Sequence, residues 1–178
     1  MESTVFARLD RFEYRLCRKA NALAHFVAIR TVFRLVSRLG DGVLWYATML
    51  ALPLVYGPAA IATSLRMLVA AALGLALYKY LKNRWVRERP YINSRDIECF
   101  KAPLDRYSFP SGHTLHAVSF TTVLLQGYPS LAAFFLPIAI AIALSRPVLG
   151  LHYPSDVLAG AGLGFAIALL VLRLPLGF

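Results

Sequence analysis

The stretch AAIATSLRMLVAAALGLALYKYLKNRWVRERP, residues 59–90, sets two unlike compositions side by side. Ala59–Leu81 is the longest apolar run in the chain, with Arg66 near its start, and it gives way at Lys82 to a basic cluster ending in Arg89-Pro90. Crossing a ~30 Å hydrocarbon core takes ~20 predominantly apolar residues in a helix. The run therefore predicts a membrane span with a strongly cationic exit.

Further apolar runs lie on either side. Gly42–Gly57 is uncharged, Leu131–Ser145 is almost purely apolar, and Val157–Leu172 follows the same pattern. Thr114–Gly127 is shorter and more polar, carrying His116, Ser119, Thr121 and Thr122. Several runs fall short of a full span, so their helices are expected to extend beyond them or to end below the headgroups. Composition agrees: 58 % of residues are hydrophobic and 16 % charged, against ~45–50 % and ~25 % in soluble domains. The expectation is an all-α integral-membrane bundle of about five transmembrane helices in a single folding unit.

Residues 1–40 read differently. Arg8, Arg11, Arg15, Arg18, Lys19, Arg30, Arg34 and Arg38 recur at three- and four-residue spacing among Phe, Leu, Val and Ile. This predicts a basic amphipathic helix in the interface, ahead of a transmembrane domain over 41–178. A rival reading makes Ala22–Val36 a further span, with Arg30 and Arg34 at depth costing roughly 2.5–3.5 kcal/mol each. Met1–Lys19 lacks an apolar signal core and is expected to stay on the mature protein.

The net charge of +10 suits nucleic acid, anionic lipid or a phosphate-bearing ligand. The apolar runs leave too little soluble surface to grip a duplex, so membrane lipids and a phosphorylated lipid are the expected partners, and nucleic acid is not. Cys17 and Cys99 match no metal-ligand spacing and are not expected to pair. Gly160 and Gly164 form a GxxxG pair, read as packing inside one bundle before a dimer contact.

Polar groups beside membrane helices are costly, so their grouping is informative. Three clusters stand out: Lys82–Pro90, Ser108–His113 and Ser145–Asp156. If each run crosses once, all three converge on one membrane face. Lys82, Arg89 and Arg146 would ring a cavity with cations suited to phosphate oxygens. Ser111 is a plausible N-cap, its helix amino terminus an anion site, and Gly112 leaves room for an oxyanion. His152 and Asp156, four apart, fit an imidazole nucleophile steadied by a carboxylate; His113 fits a general acid. No carboxylate cluster offers to hold a divalent metal, so neither metal nor cofactor is expected. Taken singly, each feature has a duller reading: a topology-setting basic patch, a helix cap, a surface His–Asp pair. Their joint order on one face favours a site. His116 reads as packing, His25 as polar-face decoration, and Arg66 as snorkelling to the far interface.

These residues resemble the type 2 phosphatidic acid phosphatase superfamily, whose pattern is Lys-x6-Arg-Pro, Pro-Ser-Gly-His and Ser-Arg-x5-His-x3-Asp. All three elements are complete, at Lys82–Pro90, Pro110–His113 and Ser145–Asp156. The resemblance implies a metal-independent lipid phosphatase with His152 as nucleophile through a phosphohistidine, Asp156 orienting it, and His113 protonating the leaving group and then assisting water. It implies that Lys82, Arg89, Ser111, Gly112 and Arg146 hold the phosphoryl oxygens. Phosphatidate, phosphatidylglycerol phosphate, a lysolipid phosphate and polyprenyl diphosphate all fit. A phosphotransferase using the same intermediate, and a non-catalytic anion-binding membrane protein or transporter, are the alternatives. The loop Tyr91–Tyr107 could act as a lid, with Asp96, Glu98 and Asp105 repelling over-charged substrates if they are not merely solvated.

With five spans, 17 of 19 basic residues lie on the site face; omitting Lys82, Arg89 and Arg146 leaves 14 against Arg66 and Arg173. The positive-inside rule makes that face cytoplasmic, in a bacterial inner membrane. Bacterial relatives that act on cell-wall lipid carriers usually face outward, which argues the other way.

Overall fold

The computed structural model describes residues 4–175, with side chains from residue 11 onward, so the Arg8 side chain lies outside the described residues. The described chain is all-helical. Helix α1 (Thr4–Ala22) leads through a short 3₁₀ turn to α2 (Val27–Arg38), and a wide π turn over Leu39–Val43 carries α2 into α3 (Leu44–Tyr56). Then come α4 (Ile61–Arg84), the single turn α5 (Pro90–Asn93), α6 (Gly112–Gly127), α7 (Ala132–Val148) and α8 (Pro154–Leu172).

Four helical stretches are long and apolar enough to cross a membrane: Val27–Tyr56, Pro58–Arg84, Pro129–Val148 and Pro154–Leu172. Their outer faces carry exposed Leu54, Leu68, Ile140, Leu158 and Leu170, an apolar surface that suits lipid and not water. The chain is thus an integral-membrane helical bundle. Gly42, at φ 123°, is non-helical and kinks the chain between α2 and α3, so the run expected to begin at Gly42 becomes α3 from Leu44 onward. Residues 27–38 form a helix of their own, α2, joined to α3 across this kink.

The run at 114–127 becomes α6, 16 residues long and so about 24 Å. It is the central helix: Leu115, Ala117, Ser119, Phe120, Val123 and Leu124 are all buried, and α4, α7 and α8 pack around it. Its polar side chains face protein instead of lipid, which explains how a less apolar segment sits inside the bundle. The closest approach is to α8. A Cβ on Gly160 would stand 2.5 Å from the Ser111 carbonyl oxygen, and one on Gly164 only 2.2 Å from that of Leu115. The GxxxG pair is spent on this internal contact, as its small residues predict.

Both amino-terminal helices pack against the end of the bundle that carries the polar clusters. Asn21 on α1 donates to the carbonyls of Glu98 and Val148, each at 3.0 Å, and accepts from the Glu98 N–H at 2.9 Å. Tyr14 donates to Asp96. These bonds tie the 94–111 loop down.

Candidate active site

Two capped helix starts position the histidines. Ser111 caps α6, accepting from the Thr114 N–H at 3.5 Å, and so places His113 in the first turn. Pro154 opens α8, where Asp156 accepts the Tyr153 N–H at 2.9 Å in a capping box. His152 thereby stands just before the helix, with Asp156 beneath it. The Ser111 N–H donates to the Asp156 carbonyl at 3.0 Å, locking the two starts together.

A cavity of about 420 Å³ opens between these elements, and Lys82, Arg89, Gly112, His113, Arg146 and His152 line its polar end. Trp45, Tyr46, Leu68, Ala71, Ala72 and Leu75, from α3 and α4, line the rest. Six of the eight residues singled out from the sequence therefore meet around one cavity. Asp156 and Ser111 stand behind it, fully buried. The Ser111 hydroxyl is engaged in capping and with the Thr114 hydroxyl at 3.0 Å. A Cβ at Gly112 would meet only the Tyr78 ring, at 3.7 Å, so nothing in the protein itself demands glycine there.

His152 is 2 % exposed. Its Nε2 lies 3.3 Å from Arg89 Nη1 on the cavity side. Its Nδ1 lies 3.6 Å from Asp156 Oδ2 and makes no hydrogen bond among the described residues. That is too long for the direct bond expected, and catalytic bonds of this kind are often loose before ligand binds. Burial first, then the charges of Arg89, Arg146 and Lys82, hold the His152 pKa well below the usual 6.5. The ring is neutral at physiological pH, with an unshared pair available for attack.

Asp156 is held from three sides by the Tyr153 N–H, the Ser108 hydroxyl and Arg87. Arg87 is 1 % exposed and reaches Glu13 on α1 at 2.9 Å and the Ser155 hydroxyl at 2.8 Å. It also stacks 4.0 Å over the Tyr153 ring. Glu13 in turn accepts the Ser155 N–H at 2.6 Å and its hydroxyl at 2.7 Å. Sequence reasoning saw Arg87 only as one member of a basic run. The signal that could have raised Glu13 is that it and Asp10 are the two acids in a helix otherwise rich in Arg and Lys.

Asp105 is paired and not merely solvated. One of its oxygens sits 2.7 Å from Lys82 Nζ and 2.8 Å from Arg89 Nη2, at the cavity edge. Arg89 also donates to the Leu151 carbonyl at 2.7 Å, and Lys82 to that of Tyr107 at 2.6 Å. Arg146 donates from Nη1 to Ser37 at 2.6 Å, while its Nε makes no hydrogen bond among the described residues. His113 Nε2 lies 2.6 Å from Asp41, which the sequence reading passed over. His116 packs as expected, with Nδ1 2.9 Å from the Gly112 carbonyl and its ring against Tyr78 and Phe120. Among the described residues, no group of three His, Cys, Asp or Glu side chains is placed to hold a metal ion.

With this geometry the chain matches known proteins. A decaprenylphosphoryl-5-phosphoribose phosphatase of Mycolicibacterium smegmatis is 33 % identical over 141 residues, 78 % of this chain and 75 % of that one. A lipid A 1-phosphatase of Rhizobium johnstonii is 38 % identical over 63 residues, 35 % of this chain but only 26 % of that enzyme's length. Among solved structures, LpxE of Aquifex aeolicus superposes with a TM-score of 0.80 at 27 % identity, covering 92 % of this chain and 96 % of that one. A PAP2-type phosphatidylglycerolphosphate phosphatase of Bacillus subtilis shares the fold, with a TM-score of 0.70 at 23 % identity over 93 % of this chain and 85 % of that one. Residues 63–177 match the PAP2 superfamily, and because that segment holds all three polar clusters, the chain belongs to the PAP2 superfamily.

Proposed function

We propose that this protein hydrolyses a lipid phosphate within the membrane, through a phosphohistidine at His152. The observation that carries the reading is the place of the Asp105 carboxylate oxygen. It sits 2.7 Å from Lys82 and 2.8 Å from Arg89, and the same guanidinium reaches His152 Nε2 at 3.3 Å. An anionic oxygen is thus already accepted beside a neutral imidazole, where a phosphoryl oxygen would bind. Lys82, Arg89 and Arg146 supply the charge that stabilises the transferring phosphoryl group.

In this mechanism His152 Nε2 attacks phosphorus in line with the leaving oxygen. Asp156 fixes the ring's orientation, and His113 protonates the departing alkoxide and then draws a proton from the hydrolytic water. Ser111 acts through its backbone and its cap instead of its hydroxyl. The apolar walls from α3 and α4 suit the chains of a lipid whose phosphate reaches the polar end. The names of the relatives support a lipid-linked phosphate as substrate. The bias of basic residues on α1 and α2, which pack at the site end, supports a cytoplasmic-facing site in a bacterial inner membrane.

The test is phosphate release from a panel of lipid phosphates by detergent-purified protein, with chelator present, beside His152→Ala. Activity is expected to survive chelation and to vanish in the variant. Unchanged turnover by His152→Ala would remove the mechanism.

A further inference from the structure

We propose that Asp41 is a positioning residue that orients the His113 ring by accepting its Nε2–H and favours the doubly protonated form once an anionic substrate is bound, leaving Nδ1–H free for the leaving-group oxygen. The inference rests on the reading of His113 as the acid.

Asp41 lies in the wide turn between α2 and α3, outside residues 63–177 that match the superfamily. One oxygen lies 2.6 Å from His113 Nε2. On its other side the carboxylate is gripped by Lys101 Nζ, at 2.8 and 3.0 Å. Lys101 also donates to Ser37 at 2.9 Å, and Ser37 accepts Arg146 Nη1 at 2.6 Å. The contact is built into the backbone: a Cβ on Gly40 would come within 2.9 Å of the His113 ring, so only a glycine lets the turn lie this close. His113 Nδ1 makes no hydrogen bond among the described residues, and His113 lines the cavity.

A carboxylate at one ring nitrogen stabilises the doubly protonated ring through a charge-assisted bond. The other charged groups around His113 oppose it: Lys101 from the loop, Arg146 from α7, and Lys82 and Arg89 across the cavity. His152 faces it from the loop before α8, and His116 follows one turn on along α6. Burial first, then the cations, lower the His113 pKa below the usual 6.5, and Asp41, the carboxylate bonded to the ring, works against them; a bound phosphate adds negative charge that acts in the same direction as Asp41.

The proton balance closes. As the His152 Nε2–phosphorus bond forms and the phosphorus–oxygen bond breaks, the His113 Nδ1 proton passes to the departing oxygen. The ring is then neutral, still donating Nε2–H to Asp41. Nδ1 next takes a proton from water as the new phosphorus–oxygen bond forms and the nitrogen–phosphorus bond breaks, restoring the starting state.

The experiment compares kcat/KM of wild type and Asp41→Asn on an alkyl lipid phosphate and on an aryl phosphate, whose phenolate leaves unprotonated. On the alkyl substrate a fall of roughly 10- to 100-fold is expected, within the range of general-acid effects. The aryl substrate should change by less than about threefold, because kcat/KM stops at the first irreversible step and the acid contributes little to it. The high-pH limb of the alkyl profile should move to lower pH in Asp41→Asn and to higher pH in Lys101→Met, which unburdens the carboxylate. Asp41→Glu should recover part of the activity, and retained inhibition by orthovanadate would show the anion site intact. Equal losses on both substrates with an unmoved pH profile, or no loss at all, would overturn the proposal. An active His152→Ala would instead overturn the nucleophile assignment.

Discussion

Removing Arg87 is the sharpest perturbation that the structure offers. Its guanidinium is 1 % exposed and joins two carboxylates, Glu13 at 6 % and Asp156 at 0 % side-chain exposure. In Arg87→Leu both acids keep their burial and lose their cation. Breaking a buried ion pair from one side costs about 3–5 kcal/mol, and losing the stack on Tyr153, at 4.0 Å, adds about 0.5–1 kcal/mol. For a chain of this size that corresponds to a fall in thermal midpoint of about 10 °C or more. Because Asp156 sits under His152, turnover should fall with stability even at temperatures where the protein stays folded. The assay is thermal unfolding in detergent alongside phosphate release at 15–20 °C below each variant's midpoint, a margin chosen as roughly twice the expected shift. The double variant Glu13→Leu/Arg87→Leu removes one of the two stranded acids. It should be more stable than Arg87→Leu alone, a coupling of about 1–3 kcal/mol. A shift under about 1 kcal/mol in the single variant, or strict additivity in the double, would refute the claim that these three groups form one buried unit.

Three further outcomes follow from the same geometry. His152 is buried neutral with its pKa well below 6.5, so the unfolded state binds the extra proton first, and stability is present above pH 6.5 and lost as pH falls toward the depressed folded value. The contribution is about 1.4 kcal/mol per pH unit in that window; thermal midpoints at pH 7 and pH 5 should diverge more in wild type than in His152→Gln. Gly164→Ala should destabilise by about 1–3 kcal/mol, since its Cβ would meet a backbone oxygen at 2.2 Å, while Gly162→Ala, with nothing within 4 Å, should be neutral in the same thermal assay. Cys99 is exposed beside the site face and Cys17 is buried, so a membrane-impermeant thiol reagent should label intact inverted vesicles and not right-side-out ones if the site faces the cytoplasm.

What the sequence disclosed was chemistry out of place. Lys82, Arg89, His113, Arg146 and His152 stood out because ionisable groups beside apolar runs are costly, and all five line one cavity. What it hid was which members of a cluster are buried. Arg84, Arg87 and Arg89 look alike within Lys82–Pro90, yet Arg84 is exposed while the other two are enclosed. The Gly40-Asp41-Gly42 triplet reads as a break, since two glycines around an acid favour a loop. In the folded chain Gly42 does kink the chain between α2 and α3, but no local pattern announces that Gly40 lets Asp41 lie against His113. Likewise α1 has the pattern of a surface-lying helix, and periodicity alone cannot tell that Glu13 and Asn21 are buried against loops more than 75 residues away.

The cavity wall between α3 and α4 has a kinetic consequence. Tyr46, Leu68 and Leu75 line it, belong to helices long and apolar enough to cross a membrane, and are 58 %, 53 % and 43 % exposed, so we expect a reactant's apolar chains to enter sideways, from the plane of the leaflet. A reactant arriving by that door is counted per lipid molecule and not per litre. Rates should then track its mole fraction in the micelle or bilayer, and diluting it with inert detergent should slow turnover at constant bulk concentration.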